Sequence, residues 1–178
     1  KDHVRSFALN SMLKDLERME HLPASYYNFH PGSHVGQGVE KGIELIISTL
    51  DILLERGFKT TLLLEGMAGK GSEIGGRFEE LQWILQGVKK VDMLGVTLDS
   101  CHTYDAGYDI KTDLQGQLDL FDQIVGLDKL KALHLNDSKN DFASKKDRHE
   151  KLGKGTLGVD TFREIVNHPV LNRLPMTL

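Results

Sequence analysis

The sequence predicts an α/β fold of the (β/α)8-barrel type, present as a partial barrel. Three observations point there. Apolar strand candidates at 26–30, 60–65, 94–99, 131–135 and 174–178 alternate with helical segments, at a spacing of about 35 residues that suits (β/α) units. These strands are apolar on both faces, as strands of a parallel sheet covered by helices are. His30, Glu65, Asp99 and His134 each stand at or next to the carboxyl end of a different strand. A closed barrel gathers such ends at one mouth, whereas an open doubly wound sheet spreads them along an edge. The chain has 178 residues, short of the ~250 that eight units take. It opens in a helix and closes in a strand, so the expectation is one domain, 1–178, forming a barrel that lacks material at both ends.

The elements follow in order. Residues 1–20 place Val4, Phe7, Ala8, Met12, Leu13, Leu16 and Met19 at three- and four-residue spacing with charges between, the pattern of an amphipathic helix. The strand candidate SYYNF runs into HPGSH, and a second helix spans 37–56 through Val39, Ile43, Ile46, Leu50 and Leu53, with Gly57 placed to stop it. KTTLLLE is an uninterrupted apolar strand ending at Glu65, followed by a glycine-rich loop over 66–76 and a helix around 78–85. LGVTLD forms the next strand, ending at Asp99, with His102 in the loop after it. A helix near 113–125, the strand LKALHL with His134, the loop HLNDSKNDFASKKDRHEKLGKG, a helix near 160–167 and the strand LPMTL complete the order.

Composition narrows the class without fixing a partner. With 39% hydrophobic and 27% charged residues and no low-complexity tract, the chain reads as an ordinary globular protein. No apolar run approaches the ~20 residues of a membrane span, and nothing near Lys1 reads as a signal peptide. The only cysteine, Cys101, excludes an internal disulfide and suits a reducing compartment, which predicts a cytoplasmic protein. A formal net charge of −4 gives no whole-molecule attraction to nucleic acid, yet a local patch or bound cations can supply one.

The polar residues at the strand ends carry the chemistry. A lone histidine such as His30 is ordinarily a hydrogen-bonded structural residue. Glu65, after three buried leucines, is different, because a carboxylate at the end of a buried strand needs a cation or hydrogen bonds to offset its desolvation. DSCH holds Asp99 with His102 three residues on, and Cys101 between them reads as a small buried residue rather than a ligand or nucleophile. In DRH, an extended backbone would point Asp147 and His149 the same way and Arg148 elsewhere. Seven imidazoles and carboxylates at one mouth suit zinc, with manganese or iron as alternatives, and exceed what one ion takes. GMAGKGSEIGG fits neither phosphate-binding template, since Ile74 replaces the last glycine of GxGxxG and Lys70 lacks a following Ser or Thr; it reads as a flexible loop. His34 is expected to face helix or solvent, and His3, His21 and His168 to lie on the surface.

NFHPGSH, LLLEGMAGKGSEIG, LGVTLDSCHTYDAGYD and HLNDSKNDFASKKDRHEKLGKG closely resemble, in this order, the signature segments of the endonuclease IV family, the zinc-dependent apurinic/apyrimidinic endonucleases. The resemblance implies a TIM barrel with three zinc ions at its mouth, and hydrolysis of the phosphodiester 5′ to an abasic site in double-stranded DNA, leaving a 3′ hydroxyl. It implies that His30 binds the first zinc, Glu65 bridges the first and second as the catalytic bridge, Asp99 and His134 bind the second, and His102, Asp147 and His149 hold the third. Two family ligands have no counterpart here: a histidine on an earlier strand, and a glutamate after the last. The chain would then hold strands four to eight. Thr97 stands where the family often has cysteine, and Gly66-Met67 where it often has Asn-Thr.

The implied chemistry suits that ligand set, because in-line displacement at an anionic phosphodiester needs a strong nucleophile and charge neutralisation. Lys139, Lys145, Lys146, Arg148 and Lys151 crowd one loop and are candidates for phosphate contact, against the alternative of a solvated loop. Competing expectations are a divalent-metal sugar isomerase or epimerase of similar barrel design, and a non-catalytic fragment that pairs with a second copy across open barrel edges; the intact protein is expected to be monomeric.

Overall fold

The computed structural model describes residues 2–23 and 25–178. Helix α1 (Asp2–Met19) precedes β1 (Tyr26–Phe29), α2 (Val39–Glu55), β2 (Thr61–Gly66), α3 (Phe78–Gly87), β3 (Leu94–Asp99), α4 (Ser100–Ala106), α5 (Leu114–Ile124) and β4 (Leu130–His134). Two short strands, β5 (Asp137–Ser138) and β6 (His149–Glu150), then lead to α6 (Val159–Asn167) and β7 (Met176–Thr177). Five strands form one all-parallel sheet in the order β1-β2-β3-β4-β7. Strands taken in chain order with a helical crossover between each pair build a segment of a (β/α) barrel, as the 35-residue periodicity anticipates.

Burial explains why the strands read clearly. Every residue of β3 is buried, and so is every residue of β2 after Thr61. The helices cover the outside through one face each: Ile43, Leu50, Leu53 and Leu54 of α2, Leu81, Ile84 and Leu85 of α3, Leu118 and Phe121 of α5, Phe162 and Ile165 of α6, all in one continuous core. Helix α2 stops at Gly57, where φ is +76°.

Three expectations are corrected. The apolar stripe of α1 is buried only in its second half: Leu16 is enclosed, but Phe7 is 74% and Val4 54% exposed and Ala8 is exposed too. Helix α1 lies on α2, with Arg5 donating to Ser48 and Thr49, while the apolar side chains of its first two turns, Val4, Phe7 and Ala8, stay exposed. His102 is in a helix rather than a loop, because Asp99 caps α4 by accepting the His102 amide at 2.9 Å, which satisfies a donor the helix start leaves free. The glycine-rich segment is a tied turn, not a free loop: Met67 donates to Gly75 O, Ile74 to Gly32 O, and Ser33 pairs with Glu73.

Parallel pairing with fixed register places the chemistry. Phe29 pairs with Leu64, Glu65 with Thr97 and Asp99 with His134, so His30 leaves β1 beside Glu65. The register shifts between Val96 and Thr97, where Lys131 of β4 is passed over, and beyond it Asp99 and His134 stand level. Residues 134–150 are not all loop, because β5 and β6 pair antiparallel, Ser138 opposite His149, and this hairpin returns Asp147 and His149 to the mouth.

Candidate metal centre

Glu65 is the hub. It is 2% exposed, and its two oxygens face different partners. One lies 3.2 Å from His134 Nδ1 and 3.3 Å from His102 Nδ1; the other accepts from Asn28 Nδ2 and lies 3.5 Å from His30 Nε2. Burial pushes the carboxyl upward, but hydrogen bonds from His102, His134 and Asn28 outweigh it and hold Glu65 well below the usual carboxylate range. The same contacts act on the imidazoles. Burial disfavours charge on His102, yet the Glu65 hydrogen bond and the charges of Asp99, Glu65 and Asp147 raise it to about 9. His134 is also raised, chiefly by its bond to Glu65.

Asp99 does two jobs with two oxygens. One caps α4, and the other accepts from Asn136 Nδ2 at 2.6 Å, so the carboxylate is fixed at the point where Glu65, Asp99 and His134 converge. A second convergence is formed by His102, Asp147 and His149. There His102 Nε2 is 3.1 Å and His149 Nε2 3.4 Å from Asp147 Oδ1, and the two nitrogens are 3.3 Å apart. Ligands ~2.0–2.1 Å from a tetrahedral ion stand about 3.3–3.4 Å from one another. The donor set, two imidazole nitrogens and a carboxylate oxygen, therefore fits a divalent ion of the zinc type in both chemistry and spacing. His149 Nε2 is also 4.0 Å from Asp99 Oδ2, so the two convergences adjoin.

All seven sequence candidates thus meet at one mouth, with His30 the most peripheral, its side chain 58% exposed. The reason given for Asp147 and His149 needs correction. Asp147 has φ +53° and is not extended, so simple alternation does not align it with His149; the turn of the hairpin does. Cys101 is fully buried, and burial pushes its thiol up to about 12; its sulfur nonetheless lies within 4.8 Å of ligand atoms of Asp99 and His149, a grouping that the sequence reading of a small core residue does not foresee. Lys139, Lys145, Lys146, Arg148 and Lys151 are all exposed. Lys139 approaches Glu150 at 3.9 Å, and Arg148 folds onto the Asp147 carbonyl at 2.9 Å.

The chain matches the family described as xylose isomerase-like TIM barrel over residues 1–177. It is also 55% identical over 177 residues to the probable endonuclease 4 of Alkaliphilus oremlandii, across 99% of this chain and 63% of that protein.

The chain belongs to the endonuclease IV family.

Endonuclease IV from Thermus thermophilus is 35% identical and superposes with a TM-score of 0.81, over 96% of this chain and 60% of that one. A D-tagatose 3-epimerase-like protein, 20% identical with a TM-score of 0.72 over 99% of this chain and 63% of that one, shares the fold. The chain spans less than two thirds of the length of these endonuclease IV relatives.

Three polar residues that hold the groups at this mouth escape sequence reasoning: Asn28, Asn136 and Asp105. Asn28 orients Glu65 from 37 residues away in sequence, and Asn136 orients Asp99 from the same separation. The one local signal is an asparagine within a few residues of a strand's carboxyl end, Asn28 inside β1 and Asn136 two residues past β4, and it is weak. Asp137 is also buried, accepting the amides of Gly155, Leu157 and Gly158. A side chain at Gly155 would run into the Ser138 carbonyl and the Asp137 carboxylate, so the glycine at that point of EKLGKG is needed for close approach.

Proposed function

We propose that the chain carries the catalytic mouth of a DNA repair endonuclease that hydrolyses the phosphodiester 5′ to abasic sites in duplex DNA and leaves a 3′ hydroxyl. The observation that carries this reading is the pair of adjoining nitrogen and oxygen convergences at the strand ends, centred on Glu65 and His102, in a chain of this family. His30 and Glu65 would hold a first zinc ion, Glu65, Asp99 and His134 a second, and His102, Asp147 and His149 a third; manganese and iron fit the same donors less well. When bound, divalent ions supply charge neutralisation for the phosphate and acidify water. The chain's own residues do the rest. Asn28 and Asn136 hold the Glu65 and Asp99 carboxylates in place at the mouth, and the cations Lys139, Lys145, Lys146, Arg148 and Lys151 meet the phosphate backbone. In the cell such a protein would work in the cytoplasm as a monomer; no helix among the described residues is long and apolar enough to cross a membrane.

The deciding experiment incubates the zinc-loaded protein with duplex DNA carrying one abasic site. Nicking there, with undamaged duplex left whole, is the expected result. Conversion of ketose to aldose without nicking would overturn the reading in favour of a sugar isomerase or epimerase, and binding of abasic duplex without cutting, by a chain that elutes as a dimer, would mark a non-catalytic fragment.

Two further outcomes are expected. The position at His102, Asp147 and His149 retains zinc most tightly, since its three donors already stand at tetrahedral spacing, and the exposed His30 position retains it least. Anomalous scattering at the zinc edge reads this directly, and a filled His30 position beside an empty His102 position would contradict it. Changing Lys145 and Lys146 together to alanine should weaken DNA binding equally on all sequences and lower the slope of log affinity against log salt by about two; an unchanged slope would place those lysines away from the phosphates.

A further inference from the structure

The convergence of His102, Asp147 and His149 is assembled from two segments, and the one that brings two of its groups runs through unfavourable backbone. Ala143, Lys145 and Asp147 have φ of +58°, +54° and +53°, a left-handed conformation that is unfavourable for a residue with a side chain. Helix α4 offsets that cost. The Ala143 amide donates to Tyr104 O at 3.2 Å, the Lys145 amide to Asp105 O at 3.0 Å, and the Asp147 amide to Asp105 Oδ2 at 2.9 Å, so three alternate amides turn toward one helix end. The Asp105 carboxylate is fully buried. It also accepts from Ser138 Oγ at 2.6 Å and Asn140 Nδ2 at 3.3 Å, and Ser138 is the residue opposite His149 in the β5–β6 pair.

Asp105 stands outside both convergences, yet it touches everything that places one of them. It sits three residues after His102 on α4, its carboxylate grips the Asp147 amide, and through Ser138 it reaches the strand that carries His149. We propose that Asp105 is a positioning residue that fixes Asp147 and His149 against His102, and so sets the affinity of that position for a divalent ion. This rests on the reading that these three residues hold a metal.

Zinc binding to the metal-free chain, measured by competition with a chromophoric chelator, separates the two claims. His102→Ala identifies which bound equivalent belongs to this position. Asp105→Asn, which removes the charge and leaves one acceptor oxygen where the carboxylate serves the Asp147 amide and Ser138 Oγ with two, should weaken that equivalent by about 10–100-fold and leave the one dependent on His134 unchanged. Ser138→Ala, which removes the bond to Asp105 and the one accepted from the Asn140 amide but no charge, should give a smaller loss in the same direction. A purely structural role would lower the melting temperature and weaken both equivalents alike, and that result, or an unchanged affinity in folded Asp105→Asn, overturns the proposal. If Asp105→Asn does not fold, Ser138→Ala decides by the same comparison. A wild-type chain with no His102-dependent zinc would overturn the reading of the site itself.

Discussion

Glu65→Gln is expected to lower cleavage of abasic duplex by on the order of 10³-fold, the loss seen when one strongly placed electrostatic group is removed from an active site. The glutamine keeps the size of the side chain but carries no charge, and one of its two ends becomes a donor. At Glu65 both ends are spoken for: one oxygen faces His102 and His134, the other Asn28 and His30. Whichever way the amide turns, an N–H meets either the two imidazoles or the Asn28 amide, and the negative charge that would be shared by two cations is gone. Single-turnover cleavage with zinc content measured alongside is the check. Near-normal rates with full zinc would show that Glu65 bridges nothing.

The second large effect is on stability of the metal-free protein as pH changes. His102 is raised to about 9 from ~6.5 in an unfolded chain, so its contribution is complete below about 6.5 and is lost as pH rises through about 9. Its size is on the order of 3 kcal/mol. Glu65 is lowered, so its contribution is present above ~4.5 and is lost as pH falls; this is the same ion pair seen from the other side and is not added again. Melting temperature in chelator should therefore peak near pH 5–6.5 and decline toward pH 10. His102→Asn should remove most of the decline, which distinguishes it from titration of lysines and tyrosines. With zinc the trend reverses, because a ligand imidazole must be unprotonated, and binding at pH 7 should release protons measurable by calorimetry in buffers of different ionisation enthalpy. A flat melting profile in chelator from pH 6 to 10 would mean that His102 carries no extra proton.

Much of this was legible in the sequence because the central strands are buried on both faces. Leu62–Leu63–Leu64 is a continuous apolar run and Leu94 to Leu98 is broken only by the buried Thr97, so each strand announces its own length, and the carboxylate that ends each run marks the mouth. What the sequence hid depends on partners distant along the chain. Asn28, Asn136 and Asp105 act on groups 37, 37 and 33 or more residues away, and no local pattern encodes such a pairing. The short helix at His102 was masked because its start signal, Asp99, was already read as a ligand. Phe7 was misplaced for the opposite reason: periodicity shows which face of a helix is apolar, not whether a neighbour is there to cover it.

The separation of His102 from Asp147, 45 residues, has a consequence for how the chain resists unfolding. An ion gripped by both closes a loop of that length, and a cross-link of that span removes about 4 kcal/mol worth of freedom from the unfolded chain. With a single buried thiol, the protein has no disulfide to serve that purpose. An ion held here would double as a removable staple, fastening the β5–β6 hairpin to the helix after β3.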